Sequence, residues 1–332
     1  MNQTPLLSLR NLRTMFAGEN GEVVAVDNVS FDVNAGEIVG VVGESGSGKS
    51  VTALSIMGLL PKTGARIGGG EILFRGRDLL KLSSREMRGL RGREIGMIFQ
   101  EPMSSLNPVF PIGDQIVETI IAHERIGHRA ASARAVDLLN RVGIPSPARR
   151  MLDYPHQLSG GMRQRVMIAI ALACSPKLLL ADEPTTALDV TIQAQLLDLL
   201  RDIQDETGMA IVLITHNMGV IAECADRVVV MYAGRVAEEA PVDRIFDAPN
   251  HPYTVGLLGS TPDITRDERR LWTIPGSLPR IEAPPSGCRF APRCQLAIAD
   301  CERGQPEAIQ IGAAHWAACL RPQDASGLGR KT

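Results

Sequence analysis

The 332-residue chain has no long apolar run: the longest, Val166 to Cys174, falls well short of the ~18 residues a helix needs to cross a bilayer. Work at a membrane is therefore expected from its aqueous side. The segment Met1 to Phe16 lacks the apolar block of a secretory signal and carries two arginines among its polar residues, so the mature chain is expected to start here. There is no basic surplus. A net charge of -2 lacks the overall positive balance that marks nucleic-acid binders, although an average can conceal a local patch. Aromatics are scarce at 4%, and neither an internal repeat nor a low-complexity tract is present. Sustained heptads are missing too, which argues against a long coiled-coil insertion. What remains is an ordinary globular composition, 44% hydrophobic and 22% charged, in a chain long enough for one large α/β domain and a smaller unit.

Glu37 to Val42 is a short run rich in valine and isoleucine, followed by a glycine-rich turn and a helical pattern from Lys49 to Leu60 that stops at Pro61. This predicts strand, loop, helix. Lys177 to Asp182, Ala210 to Thr215 and Arg227 to Tyr232 have the continuous apolar character of buried parallel strands. Between the first two, Thr191 to Thr207 places Ile192, Leu196, Leu199, Leu200 and Ile203 on one helical face, with Gly208 at the expected C-terminal cap. From about 101 to 173 the periodicity is helical, in Gln115 to His123 and Ala133 to Val142. This predicts a helical insert. Beyond Tyr232 the chain is expected to be loop-rich, and prolines at 275, 279, 284 and 285 mark a linker into a tail that holds four of the six cysteines.

Gly43-Glu-Ser45-Gly46-Ser-Gly48-Lys49-Ser50 fits G-x-x-x-x-G-K-[ST] in the strand-to-helix context that separates a phosphate loop from chance. Its glycines allow backbone N–H groups to turn onto phosphate oxygens, and the following helix adds the positive end of its dipole. Lys49 supplies a point charge for the β and γ phosphates, and the Ser50 hydroxyl a ligand for Mg2+. Leu178 to Glu183 is an apolar strand ending in two carboxylates: Asp182 is the candidate for Mg2+, and Glu183 for the general base that activates water. The bland reading of the first, a glycine-rich turn that binds nothing, is disfavoured by its strand-to-helix context, and that of the second, a solvated acidic turn, by the phosphate loop upstream.

With Leu158-Ser159-Gly160-Gly161-Met162 added, the chain resembles the ATP-binding subunits of ABC transporters, whose signature motif this pentapeptide matches. Ser159 can cap the helix that follows, and the glycines leave its N-terminus open to an anion. The resemblance implies that this end contacts the γ-phosphate of ATP held on an opposite subunit. It likewise implies that Gln100 is the Q-loop glutamine near Mg2+ and water, Asp189 the D-loop aspartate at the dimer seam, and His216 the switch histidine. Asn217 departs from the aspartate many relatives carry there. Phe16 is the candidate for stacking on adenine; a lone phenylalanine is otherwise a core residue.

Phe99-Gln-Glu-Pro-Met-Ser-Ser-Leu-Asn-Pro108, Asp182 to Gln193 and His251-Pro-Tyr-Thr254 narrow the resemblance to the dipeptide and oligopeptide importers, over essentially the whole chain. That implies an α/β P-loop ATPase core over residues 1–250, with the helical subdomain at about 101–173. A small loop-rich four-cysteine extension would occupy 251–332. It further implies a second ATPase chain (a copy or a homologue), two membrane permeases, an extracytoplasmic binding protein and no nucleic acid. The expected location is the cytoplasmic face of the bacterial inner membrane. Nickel or glutathione could replace peptide as solute, and a soluble non-transport ABC ATPase or a redox-sensing module are the rivals from other classes.

Cys288-x5-Cys294-x6-Cys301-x17-Cys319 matches neither zinc-ribbon nor common ferredoxin spacing. In a reducing compartment such clustering favours soft-metal ligation over disulfides. A [4Fe-4S] cluster is the leading expectation, with zinc or four free buried cysteines as alternatives. Arg289, Arg293 and Arg303 are expected to offset its negative charge.

Overall fold

The computed structural model describes residues 4–19, 21–101, 105–186, 189–260, 273–325 and 328. Pro102, Met103 and Ser104 of the Phe99–Pro108 match, and Ala187 and Leu188 ahead of Asp189, lie outside the described residues. The chain forms two compact units: Met1–Val33, Ile38–Leu80 and Ile214–Thr332 make the first, and Asn34–Glu37 with Lys81–Leu213 the second.

The first unit opens with β1 (Leu7–Gly18), β2 (Gly21–Val33), β3 (Ile38–Val42), α1 (Lys49–Met57), β4 (Ala65–Phe74) and β5 (Arg77–Asp78). β1 pairs antiparallel with both β2 and β4, and its Leu7, Leu9 and Leu12 are fully buried. The step from Leu9 to Leu12 breaks the period of two because a register shift falls between them, beside Asn11 in the left-handed region at φ 49°. α1 ends at Gly58, whose φ of 59° closes the helix, rather than running on to Leu60.

The second unit contains α2 (Ser84–Leu90), β6 (Ile95–Ile98), α3 (Ile112–His123), α4 (His128–Arg141), α5 (Pro147–Arg150), α6 (Gly160–Leu172), β7 (Leu178–Asp182), α7 (Val190–Thr207) and β8 (Ala210–Thr215), where the chain returns to the first unit. β6 and β7 run parallel and every residue of both is buried, which is why β7 reads as an unbroken apolar run. Ile112, Ile116 and Ile120 of α3 and Ala131, Ala135 and Leu139 of α4 are fully buried at helical spacing. Each isoleucine contributes on the order of 2 kcal/mol by burial. On α7 the buried residues are Leu196, Leu197, Leu200 and Ile203; Ile192 and Leu199 are half-buried, so Leu197 replaces them in the apolar stripe.

Back in the first unit follow α8 (Met218–Cys224), β9 (Arg227–Tyr232), β10 (Arg235–Pro241), α9 (Val242–Asp247), α10 (Pro252–Gly259), α11 (Asp300–Arg303), β11 (Ile309–Gly312), β12 (His315–Ala317) and α12 (Pro322–Ala325). The expectation of loops after Tyr232 is corrected by β10, α9 and α10. The polar surface of Arg235 to Pro241 hid a strand because β10 buries only part of its length, against β9 and β12. β3 lies parallel to β9 in this unit.

Candidate functional site

Five buried residues of β3 deliver the chain to the phosphate loop. A Cβ at Gly43 would lie 2.1 Å from the Met231 carbonyl oxygen, and one at Gly48, where φ is 98°, 2.8 Å from that of Ala25. Only glycine fits either place. Gly48 is the N-cap of α1, and no side chain caps the first amides of that helix, which therefore keep donors and dipole for an anion. Lys49 is 5% exposed, and its Nζ donates to the carbonyls of Gly43 at 2.8 Å and Glu44 at 2.9 Å. Its charge is thereby fixed over the loop. Ser50 follows as the second residue of α1, while Ser45 and Gly46 belong to the turn.

Elsewhere in the first unit, Phe16 lies in β1 opposite Val23 and Ala65 and is half-buried. His216 directly follows β8. Asn217 caps α8 by accepting the Gly219 N–H on its Oδ1 at 2.9 Å, a task an aspartate would perform equally well. The departure from the family pattern thus leaves this helix cap intact.

The second unit gathers the remaining motif residues. Asp182 ends β7 and is 4% exposed; Glu183 follows with a left-handed φ of 47°. A non-glycine residue held there costs about 1 kcal/mol or more, a strain characteristic of working sites. The Glu183 carboxylate accepts from Gln100 Nε2 at 3.1 Å and from Thr186 Oγ1 at 2.8 Å. Thr186 is a partner that motif matching missed; its signal was only its place three residues past the glutamate. Ser159 caps α6 through the Met162 N–H, and a Cβ at Gly160 would meet nothing within 4 Å. The helix end at Gly160 is thus open. Gly161 packs closer: its Cβ would stand 3.3 Å from Ile192. From the same helix the buried Gln164 donates to the Pro184 carbonyl at 2.6 Å, which ties the Ser159 helix to the turn after Glu183. Asp189 caps α7 through the Ile192 N–H at 2.9 Å.

His251-Pro-Tyr proves to be a structural joint of the first unit. Glu238 on β10 is fully buried and accepts from the N–H groups of Asn250 at 2.6 Å and His251 at 2.9 Å, with His315 Nε2 at 2.8 Å. Burial drives the His251 imidazole down to about 4, against the pull of Glu238, so the ring is neutral at neutral pH. Its Nδ1 accepts the Tyr253 N–H and starts α10.

Cys288, Cys294, Cys301 and Cys319 line one small pocket together with His251 and Phe290. Burial pushes the thiols of Cys288, Cys294 and Cys319 up, Cys319 to about 11, and neighbouring thiols add to the effect. They are protonated thiols unless a metal displaces the protons. Among the described residues no three His, Cys, Asp or Glu side chains are placed to hold a single metal ion. The expected charge offset by Arg289, Arg293 and Arg303 is not met. Arg289 pairs with Asp27, Arg293 with Glu44, and Arg303 with its helix neighbour Asp300; Arg321 lines the pocket instead. Proximity in sequence misled here because the half-buried carboxylates of Asp27 and Glu44 claim the first two.

Residues 26–186 match the ABC transporter family, and residues 237–301 match the oligopeptide/dipeptide transporter C-terminal region. A Brucella melitensis protein named for peptide import and ATP binding is 52% identical over 98% of this chain and 99% of its own length. A Sinorhizobium fredii protein named as a peptide ABC transporter ATP-binding protein is 52% identical over 97% of both chains. Among solved structures, the ATP-binding cassette MJ0796, a dimer in a post-hydrolysis state with ADP and Pi, superimposes with a TM-score of 0.64 at 30% identity. That match covers 71% of this chain and 98% of MJ0796. The cbiO1 subunit of Clostridium perfringens follows at a TM-score of 0.63 and 26% identity, over 74% of this chain and 91% of its own. The chain belongs to the ATP-binding subunits of dipeptide/oligopeptide-type ABC transporters.

Proposed function

We propose that the chain binds ATP on the Gly43–Ser50 loop and hydrolyses it to energise uptake of dipeptides or oligopeptides. The observation that carries this is the loop itself: a buried lysine fixed over glycine-dependent backbone, at the open end of α1. Lys49 holds the β and γ phosphates, the amides around Ser45, Gly46 and Gly48 cradle them, and Phe16 stacks on the base. Bound Mg2+ would neutralise charge on the phosphates, with Ser50, Asp182 and Gln100 as its assigned residues. Glu183 orients and deprotonates the attacking water, supported by its two hydrogen bonds and its strained backbone, and His216 contacts the γ-phosphate. Lys49→Ala tests the reading by equilibrium binding: loss of ATP affinity supports it, and unchanged affinity refutes it.

A second ATPase chain completes the site in this reading. Ser159, Gly160 and Gly161 present an open helix end with no lysine of its own, suited to the γ-phosphate of ATP on the partner, and Asp189 lies at the seam. Two permeases and an extracytoplasmic binding protein complete the importer, with this chain at the cytoplasmic face of the inner membrane. Exposed Val109, Phe110, Leu152 and Tyr154 support a permease-facing surface. The segments that carry them are joined by the Ile112 N–H to Asp153 carbonyl bond at 2.9 Å. Among the described residues no helix is long and apolar enough to cross a membrane. Functionally, residues 1–250 form the ATPase, with the helical part at about 101–173, and 251–332 the extension.

The extension is assigned a [4Fe-4S] cluster on Cys288, Cys294, Cys301 and Cys319. Its support is a pocket with four sulfur donors. When bound, the cluster supplies a rigid cross-link between the segments that carry these cysteines.

A further inference from the structure

We propose that Arg293 and Tyr253 are positioning residues for the phosphate loop: through Glu44 they fasten the ATP-binding backbone to the four-cysteine extension, so that ATP affinity depends on that extension. The inference rests on the assignment of Gly43–Ser50 to ATP. Glu44 is a free position of the loop motif, yet every polar group of the residue is engaged. Its N–H donates to the Tyr253 hydroxyl at 2.8 Å, its carbonyl accepts from Lys49 Nζ at 2.9 Å, and its carboxylate takes both terminal nitrogens of Arg293 at 2.8 and 3.0 Å. The residue that holds the phosphate-binding lysine is itself held from residues 253 and 293.

Both anchors are rigid. Tyr253 is fully buried and Arg293 is 8% exposed, with further bonds from Arg293 to the Pro275 carbonyl at 2.9 Å and the Tyr232 hydroxyl at 3.3 Å. A bidentate charge pair of this kind fixes direction as well as distance. Arg293 is joined covalently to Cys294. Phe290 extends the link: its ring lies 5.1 Å from Tyr232, 5.5 Å from Tyr253 and 5.8 Å from His251, and both Phe290 and His251 line the pocket of the four thiols. A displacement of the cysteine-bearing segment therefore reaches the loop by a side-chain and a backbone route.

The test measures ATP affinity of the full-length protein with a fluorescent ATP analogue, alongside thermal melting, for Arg293→Gln, Glu44→Gln, Tyr253→Phe, Cys294→Ser and the exposed control Arg303→Gln. Loss of one charge-assisted partner is expected to weaken ATP binding about tenfold in Arg293→Gln and Glu44→Gln. The double variant should lose little more than either single one, and KM for ATP should move more than kcat. Arg303→Gln should bind as wild type, and Cys294→Ser should follow Arg293→Gln in direction. Lower melting temperatures with unchanged ATP affinity would show a purely structural contact and overturn the proposal. If Arg293→Gln does not fold, the isosteric Glu44→Gln carries the decision. Lys49→Ala separates the two readings: if it still binds ATP, the ATP assignment itself fails; if it does not, while Arg293→Gln and Glu44→Gln bind normally, the positioning role alone fails.

Discussion

Gln100 donates its side-chain amide to the carboxylate of Glu183 at 3.1 Å, within a unit where Thr186 donates to the same oxygen at 2.8 Å. Two donors on one oxygen hold the carboxylate in a fixed direction. Glu183→Gln retains the shape and removes the basicity. It is expected to lower steady-state ATP hydrolysis by about 100-fold or more, leave ATP binding intact and trap an ATP-bound dimer on size-exclusion chromatography. Undiminished hydrolysis would remove Glu183 from the role of base.

Ser159 offers a complementary test, since its hydroxyl caps α6 and its neighbour Gly160 leaves the helix end open. Ser159→Arg fills that space with a long cation and removes the cap. ATP binding by the isolated chain should persist, whereas ATP-driven dimerisation and hydrolysis should be lost; the cost of the cap alone is only about 1 kcal/mol. Dimerisation at wild-type ATP concentrations would contradict the signature role.

The buried carboxylate of Glu238 predicts a stability effect away from the ATP residues. Glu238→Ala leaves the N–H groups of Asn250 and His251 and the His315 ring without their acceptor. Removing one partner from such a network is expected to cost ~3 kcal/mol or more, read as a lower urea midpoint. A change under ~0.5 kcal/mol, the size of an ordinary surface substitution, would show that the network contributes little.

The four thiols make a chemical prediction. Protein purified without oxygen should contain iron and acid-labile sulfide, and Cys319→Ser should reduce both. Colourless protein lacking iron would refute the cluster assignment, and stoichiometric zinc would replace it.

Much of the fold was legible because β3, β7, β8 and β9 are buried on both faces and so appear as unbroken apolar runs. β10 was not legible, since its glutamates sit in a strand only partly buried and one of them, Glu238, is buried for its hydrogen bonds rather than its apolarity. Motif order identified Lys49, Glu183 and Ser159, whose chemistry demands particular residue types. Glu44, Thr186 and Gln164 were invisible to that reading. Their partners lie at Arg293, Glu183 and Pro184, and pairing of this kind is a product of the fold and not of spacing. The destinations of Arg289 and Arg293 illustrate the same limit: adjacency to cysteines in sequence says nothing about which carboxylate claims the guanidinium.

Peptide accumulation in proteoliposomes tests the account most directly. The chain is reconstituted with its ATPase partner, the permeases and the binding protein, and uptake of a labelled dipeptide or oligopeptide is followed beside phosphate release. ATP-dependent accumulation that disappears with Glu183→Gln in this chain is the predicted result. Accumulation that continues unchanged with that variant, or ATP hydrolysis that drives no peptide across the membrane, would contradict it.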